Sequence, residues 1–367
     1  MDLSHILGNE RIKAYLNRMV EQERVGHSLL FAGPDGIGKS LFADALAEHL
    51  LLDGSKAASQ RDKLRRRSHP DLHHYYPQGK VAMHSIDAMR QFSEEVVLPP
   101  NEAPCKIFVI HDADRMLTTS ANALLKTFEE PSAHTVIVLL SSAPQLLLPT
   151  VLSRCRTLHF QPLSEQEVME GLARIHPELS EQEAGQFGLQ AGGSLGRALR
   201  LYQAGNDGYR SILLQLLRQA TRMNYVEAAE IIQQLSDALT TLKQEIEEQH
   251  REGLTPRGAE ELTAVQKAEI QKEIDGAATL RFRNEVEGVL MECYAWYRDM
   301  HVIHEGGTSL CLHHRDQEAA LQAAVLSGQM KSLELVSDIV KQASTSLARS
   351  TPIRDVLEGF FLKLELF

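Results

Sequence analysis

Cysteine is scarce in this chain. Cys105, Cys155, Cys293 and Cys311 lie far apart, and none forms a C-x-x-C pair. That spacing excludes a disulfide framework and a cysteine-based zinc site, so free thiols are expected. No apolar run approaches the length of a membrane span. The first residues, Met1-Asp-Leu-Ser-His-Ile6, lack a basic region followed by an apolar block, so no signal peptide is expected either. The expectation is a cytoplasmic protein with no membrane partner. Positive charge is also short. Lys and Arg number 38 against 49 Asp and Glu, for a formal net charge of −11. An autonomous DNA binder is usually basic, so strong DNA binding by the chain alone is not expected. Contact with nucleic acid inside a larger assembly stays open. No internal repeat or low-complexity tract is present.

What is present begins with Gly33-Pro-Asp-Gly-Ile-Gly-Lys-Ser40, which fits G-x-x-x-x-G-K-[ST], a loop that cradles nucleotide phosphates. The apolar run Ser28–Ala32 before it reads as a buried strand. A helical pattern from Ser40 to about Leu52 follows. A strand, a glycine turn and a helix in that order aim free backbone N–H groups and the positive end of a helix at an anion. Gly33, Gly36 and Gly38 would let the backbone approach phosphate closely. Lys39 would reach the β/γ-phosphates, and the Ser40 hydroxyl would hold Mg²⁺. A chain that binds ATP or GTP with Mg²⁺, or descends from such a binder, is therefore expected.

A chain of 367 residues is too long for one small core. Over residues 1–162, candidate strands Leu29–Ala32, Asp71–Tyr76, Lys106–Ile110, Thr135–Leu140 and Thr157–Phe160 alternate with helical patterns near Ser85–Val97 and Thr119–Phe128. This alternation predicts an α/β fold with a mostly parallel sheet. Residues 163–207 read as a small helical unit, with capping boxes at Ser164/Glu167 and Ser180/Glu183. Gly205-Asn-Asp-Gly208 is the best linker. Residues 208–367 read as helical throughout. Within them Lys243–Ile274, rich in charge, reads as a solvated helix or hairpin, and Pro352–Leu364 as an amphipathic helix of a bundle.

A nucleoside triphosphatase of this kind needs acidic residues at the end of a neighbouring strand, one for Mg²⁺ and one for the attacking water. The apolar strand Lys106–Ile110 runs into His111-Asp112-Ala113-Asp114. Where an Asp-Glu pair is expected, the chain has His111 and Asp112. Imidazole is a poor ligand for hard Mg²⁺, so the pocket is expected to bind nucleotide better than it cleaves it. Shifting the register makes Asp112 the Mg²⁺ holder and Asp114 the base. A histidine at a strand end with no special role is a third reading. Arg154, in Ser153-Arg154-Cys155, lies just before the last strand. An arginine at such an edge is often a surface residue, but its planar, permanent charge also suits contact with a neighbour's γ-phosphate.

Together these segments resemble bacterial clamp-loader subunits of the AAA+ class, most closely the delta-prime family of DNA polymerase III. The resemblance rests on Ile6-Leu-Gly-Asn9, His27–Pro34 running into the glycine loop, His69-Pro-Asp-Leu72, Ala121–Pro131, Leu148–Cys155 and Gly193–Leu199. It is strong over about residues 1–200. It implies a nucleotide-binding domain (1–162), a helical lid (163–207) and a helical collar for oligomerisation (208–367). Motor subunits of that class carry a four-cysteine zinc module after the loop helix. Here Asp53–Arg67 has no cysteine and carries Arg61, Lys63 and Arg65-Arg66-Arg67, a run that reads as a solvated loop. No zinc is therefore expected. The resemblance also implies that Ser141 or Ser142, the latter preferred, senses the γ-phosphate. Arg197 falls near the lid arginine, and Arg154 matches the arginine offered in trans to a neighbouring ATPase. The implied role is a stator that helps load a sliding clamp on primed DNA beside gamma/tau motors and delta. The alternative is a self-sufficient AAA+ motor, either gamma/tau-like or a branch-migration or helicase-loading ATPase.

Overall fold

The computed structural model describes residues 1–52, 57–66, 68–79, 81–129, 132, 134–203, 209–219, 223–254, 264–349 and 351–365. The linker segment Gly205–Gly208, Arg67, Glu130 and Pro131 lie outside the described residues. The chain divides into two compact units, one holding Met1–Gln78 and Ala82–Gln203, the other the described residues from 209 onward with 79 and 81.

The first unit is built on five parallel strands, β1 (Ser28–Ala32), β2 (Leu72–Tyr75), β3 (Lys106–Ile110), β4 (Thr135–Ser141) and β5 (Arg156–His159), in the order β2-β3-β4-β1-β5. The sheet interleaves α1 (Glu10–Glu21), α2 (Lys39–Leu51), α3 (Ala57–Arg65), α4 (Ile86–Val96), α5 (Thr118–Ala123), α6 (Leu125–Glu129) and α7 (Pro149–Leu152). Every residue of β1, β3 and β4 is buried, as continuous apolar runs in a sheet covered on both faces should be. The edge strands β2 and β5 are only partly covered. Alternate residues feed two cores. Leu29, Phe31, Ile107, Val109 and Val138 pack against Phe42 and Leu46 of α2. Leu30, Phe108, Ile110, Ile137 and Leu139 pack against Phe92 of α4, Phe128 of α6 and Val151 of α7. Phe42 and Phe31 both meet Phe160, with ring centroids 5.0 and 5.2 Å away. Truncating a buried phenylalanine costs about 3–5 kcal/mol, so this contact anchors α2, and with it the glycine loop, to the sheet.

Three further helices complete this unit: α8 (Glu165–Ile175), α9 (Glu181–Gln190) and α10 (Leu195–Gln203). They enclose a small core of Val168, Leu172, Phe187 and Ala198. Ser164 and Ser180 each form a complete capping box with Glu167 and Glu183, which fixes where α8 and α9 start.

Two local readings of the sequence change. The helix expected over Thr119–Phe128 is two pieces, because Leu124 N–H bonds back to Ala121 at 3.1 Å in a tighter turn that interrupts the ladder. Of the basic run Asp53–Arg67 expected as a solvated loop, Ala57–Arg65 form α3 and Arg66 follows it, while 53–56 and Arg67 lie outside the described residues. Charges of this run meet carboxylates, Arg61 with Glu48 at 2.7 Å, Lys63 with Glu102 at 2.6 Å and Arg66 with Asp62 at 3.0 Å.

The second unit contains α11 (Tyr209–Gln219), α12 (Tyr225–Leu254), α13 (Ala264–His304), α14 (Glu318–Leu326), α15 (Leu333–Ala348) and α16 (Ile353–Lys363). Its core joins Leu213 and Leu217, Leu235, Trp296, Val336, Phe360 and Phe361. Of the charged segment Lys243–Ile274, residues 255–263 lie outside the described residues; the rest forms the end of α12 and the start of α13, where Ile246 and Ile274 are buried and Ile270 is half-buried. Among the described residues no helix is long and apolar enough to cross a membrane.

Candidate nucleotide site

The loop Gly33–Ser40 runs from the end of β1 into α2. Gly36 and Gly38 have φ of +71° and +96°, the left-handed region that glycine enters without a Cβ penalty. Gly38 caps α2. A side chain at Gly36 would come within 2.3 Å of Ser194 Oγ and 3.1 Å of Gly196 Cα. Gly196 N–H, at the start of α10, donates to the Gly36 carbonyl oxygen at 2.9 Å. The loop therefore touches α10 backbone to backbone, which only glycine on both sides permits. Asn9 closes the other flank: its side chain accepts from Gln161 N–H at 2.8 Å and donates to the Gln161 carbonyl oxygen at 3.1 Å.

These elements surround a cavity of about 340 Å³ lined on one side by the loop, His111 and Asp112, and on the other by Ile6, Leu7, Ile175, Leu195 and Leu199. A polar, phosphate-sized end beside an apolar wall suits a nucleotide with its base against Ile6 and Leu7. A larger hollow of about 510 Å³ opens between α2 and α3, lined by His5, Asp44, Glu48 and Arg61. It contains none of the loop glycines, so the smaller cavity is the candidate site.

Lys39 Nζ donates to the carbonyl oxygens of Gly33 and Pro34, each at 2.6 Å. Burial lowers its pKa, opposed by the charges of Asp35, Asp112 and Asp114. The ammonium is thus held inside the loop, where a phosphate would replace the carbonyl oxygens as its partner. Ser40, the first-turn residue of α2, also faces the cavity.

The end of β3 is the most altered part of the site. His111 stacks on Tyr76 with centroids 4.2 Å apart, and its Nε2 lies 3.0 Å from His74 Nδ1. Asp112 adopts φ +47°, an uncommon left-handed conformation for a residue with a side chain. Burial pushes its pKa up to about 6, reinforced by repulsion from Asp114 and Asp35. Asp114 turns instead toward β4. It accepts from Ser141 Oγ at 2.5 Å and from Ser142 N–H at 3.2 Å. The two serines are thereby distinguished: Ser141 is buried, and Ser142 is exposed.

Arg154 lies beyond α7. Its guanidinium donates to the Thr150 carbonyl oxygen at 2.9 Å and to Ser153 Oγ at 3.2 Å, and it forms an ion pair with Glu129 of α6. Both side chains of that pair are partly exposed, 32% and 49%. Arg197, in the first turn of α10, donates its backbone N–H to Ser194 Oγ at 3.1 Å. One turn on, Arg200 approaches Asp35 of the loop at 3.9 Å.

The site thus brings Gly36, Gly38, Lys39, Ser40 and Asp112 to one cavity, whereas Gly33, at the start of the loop, and Ser142 do not line it. Arg154 does not line this cavity and stands apart on the surface, paired with Glu129. Sequence reading missed the Asp114–Ser141 bond, the Glu129–Arg154 pair and the Gly36–Gly196 contact. It quoted His69–Leu72 without a role. There Asp71 is fully buried and accepts N–H groups from Asn101, Glu102 and Ala103 at 2.6–2.9 Å, tying the start of β2 to the approach to β3.

The sheet order and the glycine loop between β1 and α2, with helices beside it, define an α/β P-loop domain. Residues 8–164 match the family described as DNA polymerase III, delta subunit. The chain is 33% identical over 189 residues to DNA polymerase III subunit delta′ of Bacillus subtilis, covering 47% of this chain and 56% of the relative. It is 32% identical over 197 residues to the delta′ subunit of Escherichia coli, covering 52% and 59%. Against DNA polymerase III subunit tau of B. subtilis the identity is 25% over 220 residues, covering 59% and 37%. The alignments thus span a little over half the length of the delta′ relatives. Among solved structures, the RuvB Holliday junction branch migration motor of Thermotoga maritima is 16% identical with a TM-score of 0.41, covering 89% of this chain and 90% of that one. By sequence, the N-terminal part of this chain is similar to the delta′ subunits of DNA polymerase III.

Proposed function

We propose that this chain is a delta′-like clamp-loader subunit, a stator that binds ATP, turns it over slowly or not at all, and offers Arg154 to the nucleotide of a neighbouring ATPase subunit. Its partners would be gamma/tau motors and delta, and through that assembly the sliding clamp and primed DNA. The observation that carries the reading is the contrast between an intact phosphate loop and the end of β3. There an imidazole stands in the first acidic position, and Asp114 is committed to Ser141.

Bound ATP with Mg²⁺ would supply the phosphates this loop is shaped to hold. Backbone N–H groups of Gly36–Ser40 would cradle them, with Lys39 on the β/γ side and the Ser40 hydroxyl toward the metal. Ile6 and Leu7 would pack the base. Asp112, held in a left-handed turn, is the remaining carboxylate near the metal position, and Ser142 is a candidate sensor of the γ-phosphate.

The Glu129–Arg154 pair is compatible with action in trans. A partly exposed ion pair is worth about 0–1 kcal/mol, whereas an arginine on a transferring γ-phosphate contributes 10³–10⁵ in rate. A neighbour's phosphate therefore outcompetes Glu129 with ease. The division between units has the same sense: one unit carries the nucleotide site, and the other is a helical body suited to assembly.

Two assays test this. The purified chain should bind MgATP with turnover far below that of a motor ATPase. Arg154→Ala should lower ATP hydrolysis by the reconstituted loader at least tenfold while leaving ATP affinity of this chain unchanged. Rapid hydrolysis by the chain alone favours the motor reading, and full loader activity with Arg154→Ala removes the role in trans.

A further inference from the structure

The second unit holds a cluster that the nucleotide chemistry does not use. Glu292, Trp296 and Asp299 lie four and three residues apart on α13, hence on one face. After α13 the chain turns through Ser309–Cys311 and lays His313 and His314 over that face. Glu292 Oε1 is 3.1 Å from His313 Nε2, and Glu292 Oε2 is 3.1 Å from His314 Nε2. All three donor groups lie within 4.8 Å of one another. His314, Glu292 and Asp299 are buried, and His313 is partly open to solvent.

The tautomer of His314 is decided by its other side. Its Nδ1 is 3.1 Å from Asp299 Oδ2, which also accepts the His314 backbone N–H at 2.7 Å. Asp299 Oδ1 accepts the His313 backbone N–H at 3.1 Å and a bond from Arg298 at 2.6 Å. A carboxylate so placed makes Nδ1 the donor. In the neutral ring, Nε2 then presents a lone pair to a carboxylate oxygen 3.1 Å away, a repulsive arrangement unless a positive centre sits between them. The same Glu292 carboxylate meets a second imidazole Nε2 from His313. Protons on the two Nε2 atoms can fill both gaps separately, and one divalent cation can fill them together.

We propose that Glu292, His313 and His314 form a site for a zinc-type divalent transition-metal ion, with Asp299 as the positioning residue that orients His314. Two imidazoles and one carboxylate are a recurring zinc donor set, leaving the fourth position to water. With metal–ligand bonds of about 2.0–2.1 Å, adjacent donors in a tetrahedron are about 3.3 Å apart, close to the 3.1 Å spacings seen. A carboxylate on the far nitrogen of a metal-bound histidine is the usual outer partner of such sites. The partly open edge at His313 gives an ion its way in. The bound ion would clasp the segment after α13 onto that helix. The sequence expectation of no zinc rested on cysteine spacing and on a missing four-cysteine module, which say nothing of a histidine–glutamate set.

Trp296, the chain's single tryptophan, reports on this place, because its ring is 5.6 Å from that of His314 in an edge-on contact. Untagged full-length protein, stripped with a chelator, is titrated with Zn²⁺ in equilibrium dialysis and with Co²⁺ while following visible absorption and Trp296 emission. The proposal expects one Zn²⁺ per chain at micromolar concentration, visible Co²⁺ bands, and quenching of Trp296 that saturates at one equivalent. It also expects a rise in thermal midpoint with Zn²⁺. His313→Gln, at the least buried ligand, and Glu292→Gln, each checked for intact helicity, should weaken binding at least tenfold and remove the Zn²⁺-dependent thermal shift. Failure to retain Zn²⁺ at micromolar concentration overturns the site. So does Co²⁺ binding that leaves Trp296 emission unchanged, or unaltered binding by the folded variants.

Discussion

His84 shows how one residue ties the sheet to its chemistry. It is fully buried, its ring Nε2 lies 2.7 Å from the carbonyl oxygen of His111, and Ser120 Oγ donates to its own carbonyl oxygen at 3.1 Å. Burial pulls its pKa down to about 4. In the unfolded chain a histidine titrates near 6.5, so between pH 6.5 and 4 the unfolded state binds the extra proton. Stability therefore falls as pH drops through that window and is unaffected above it. A shift of about two and a half units corresponds to roughly 3 kcal/mol when fully developed. His84→Gln, which keeps a donor for the His111 carbonyl, should lose this term. Urea unfolding of wild type and variant, read on the sheet-bearing unit, should converge in stability by about 2–4 kcal/mol between pH 7 and pH 4. Parallel pH profiles would mean that His84 is not the buried neutral imidazole described here. The same scale marks the limit of sequence reading. Gly33, Gly36, Gly38, Lys39 and Ser40 stand in one short motif and are legible as a group. Asp114 with Ser141, Glu129 with Arg154, and Glu292 with His313 and His314 are pairings across 20 or more residues. Nothing in local spacing announces them.

At the scale of elements, the sequence was most informative where hydrophobic period and capping agree. The strands β1, β3 and β4 are apolar runs buried on both faces, and the serines heading α8 and α9 form the boxes that their Glu three residues on predicts. It was least informative where a tertiary contact decides a local form, as in the break at Leu124 or the contact of the glycine loop with α10. That contact can be tested by comparing two glycines. Gly36 and Gly192 both have positive φ, +71° and +59°. A Cβ at Gly192 would meet nothing within 4 Å, whereas one at Gly36 would overlap Ser194 Oγ and press on the backbone of Gly196. Gly192→Ala should therefore cost only the left-handed backbone penalty, about 1–2 kcal/mol. Gly36→Ala adds overpacking, typically a further 1–3 kcal/mol. Denaturant unfolding should rank Gly36→Ala as the more destabilising, and nucleotide binding should fall with Gly36→Ala alone. Equal effects of the two substitutions would show that the loop and α10 do not meet as described.

For the whole molecule, the argument turns on where the cores lie. The sheet unit has an apolar cluster on each face and a third among α8–α10, all drawn from residues up to 203. The helical unit has its own cluster, from Leu213 to Leu364, centred on Trp296, Phe360 and Phe361. A core of that size, closed by helices as long as α12 and α13, buries enough apolar surface to offset the ordering entropy of a domain of ordinary length. The helical fragment spanning residues 209–367 should therefore fold without the nucleotide-binding part. Far-UV circular dichroism should show it mostly helical, and urea should unfold it in one cooperative step. Its tryptophan should emit at the wavelength seen in the full chain, since the neighbours of Trp296 are all retained. A red-shifted emission or a gradual, featureless transition would mean that this core depends on the sheet unit. The sequence alone could place the helices but not this independence. Periodicity reveals which face of a helix is buried, but not which of its neighbours buries it.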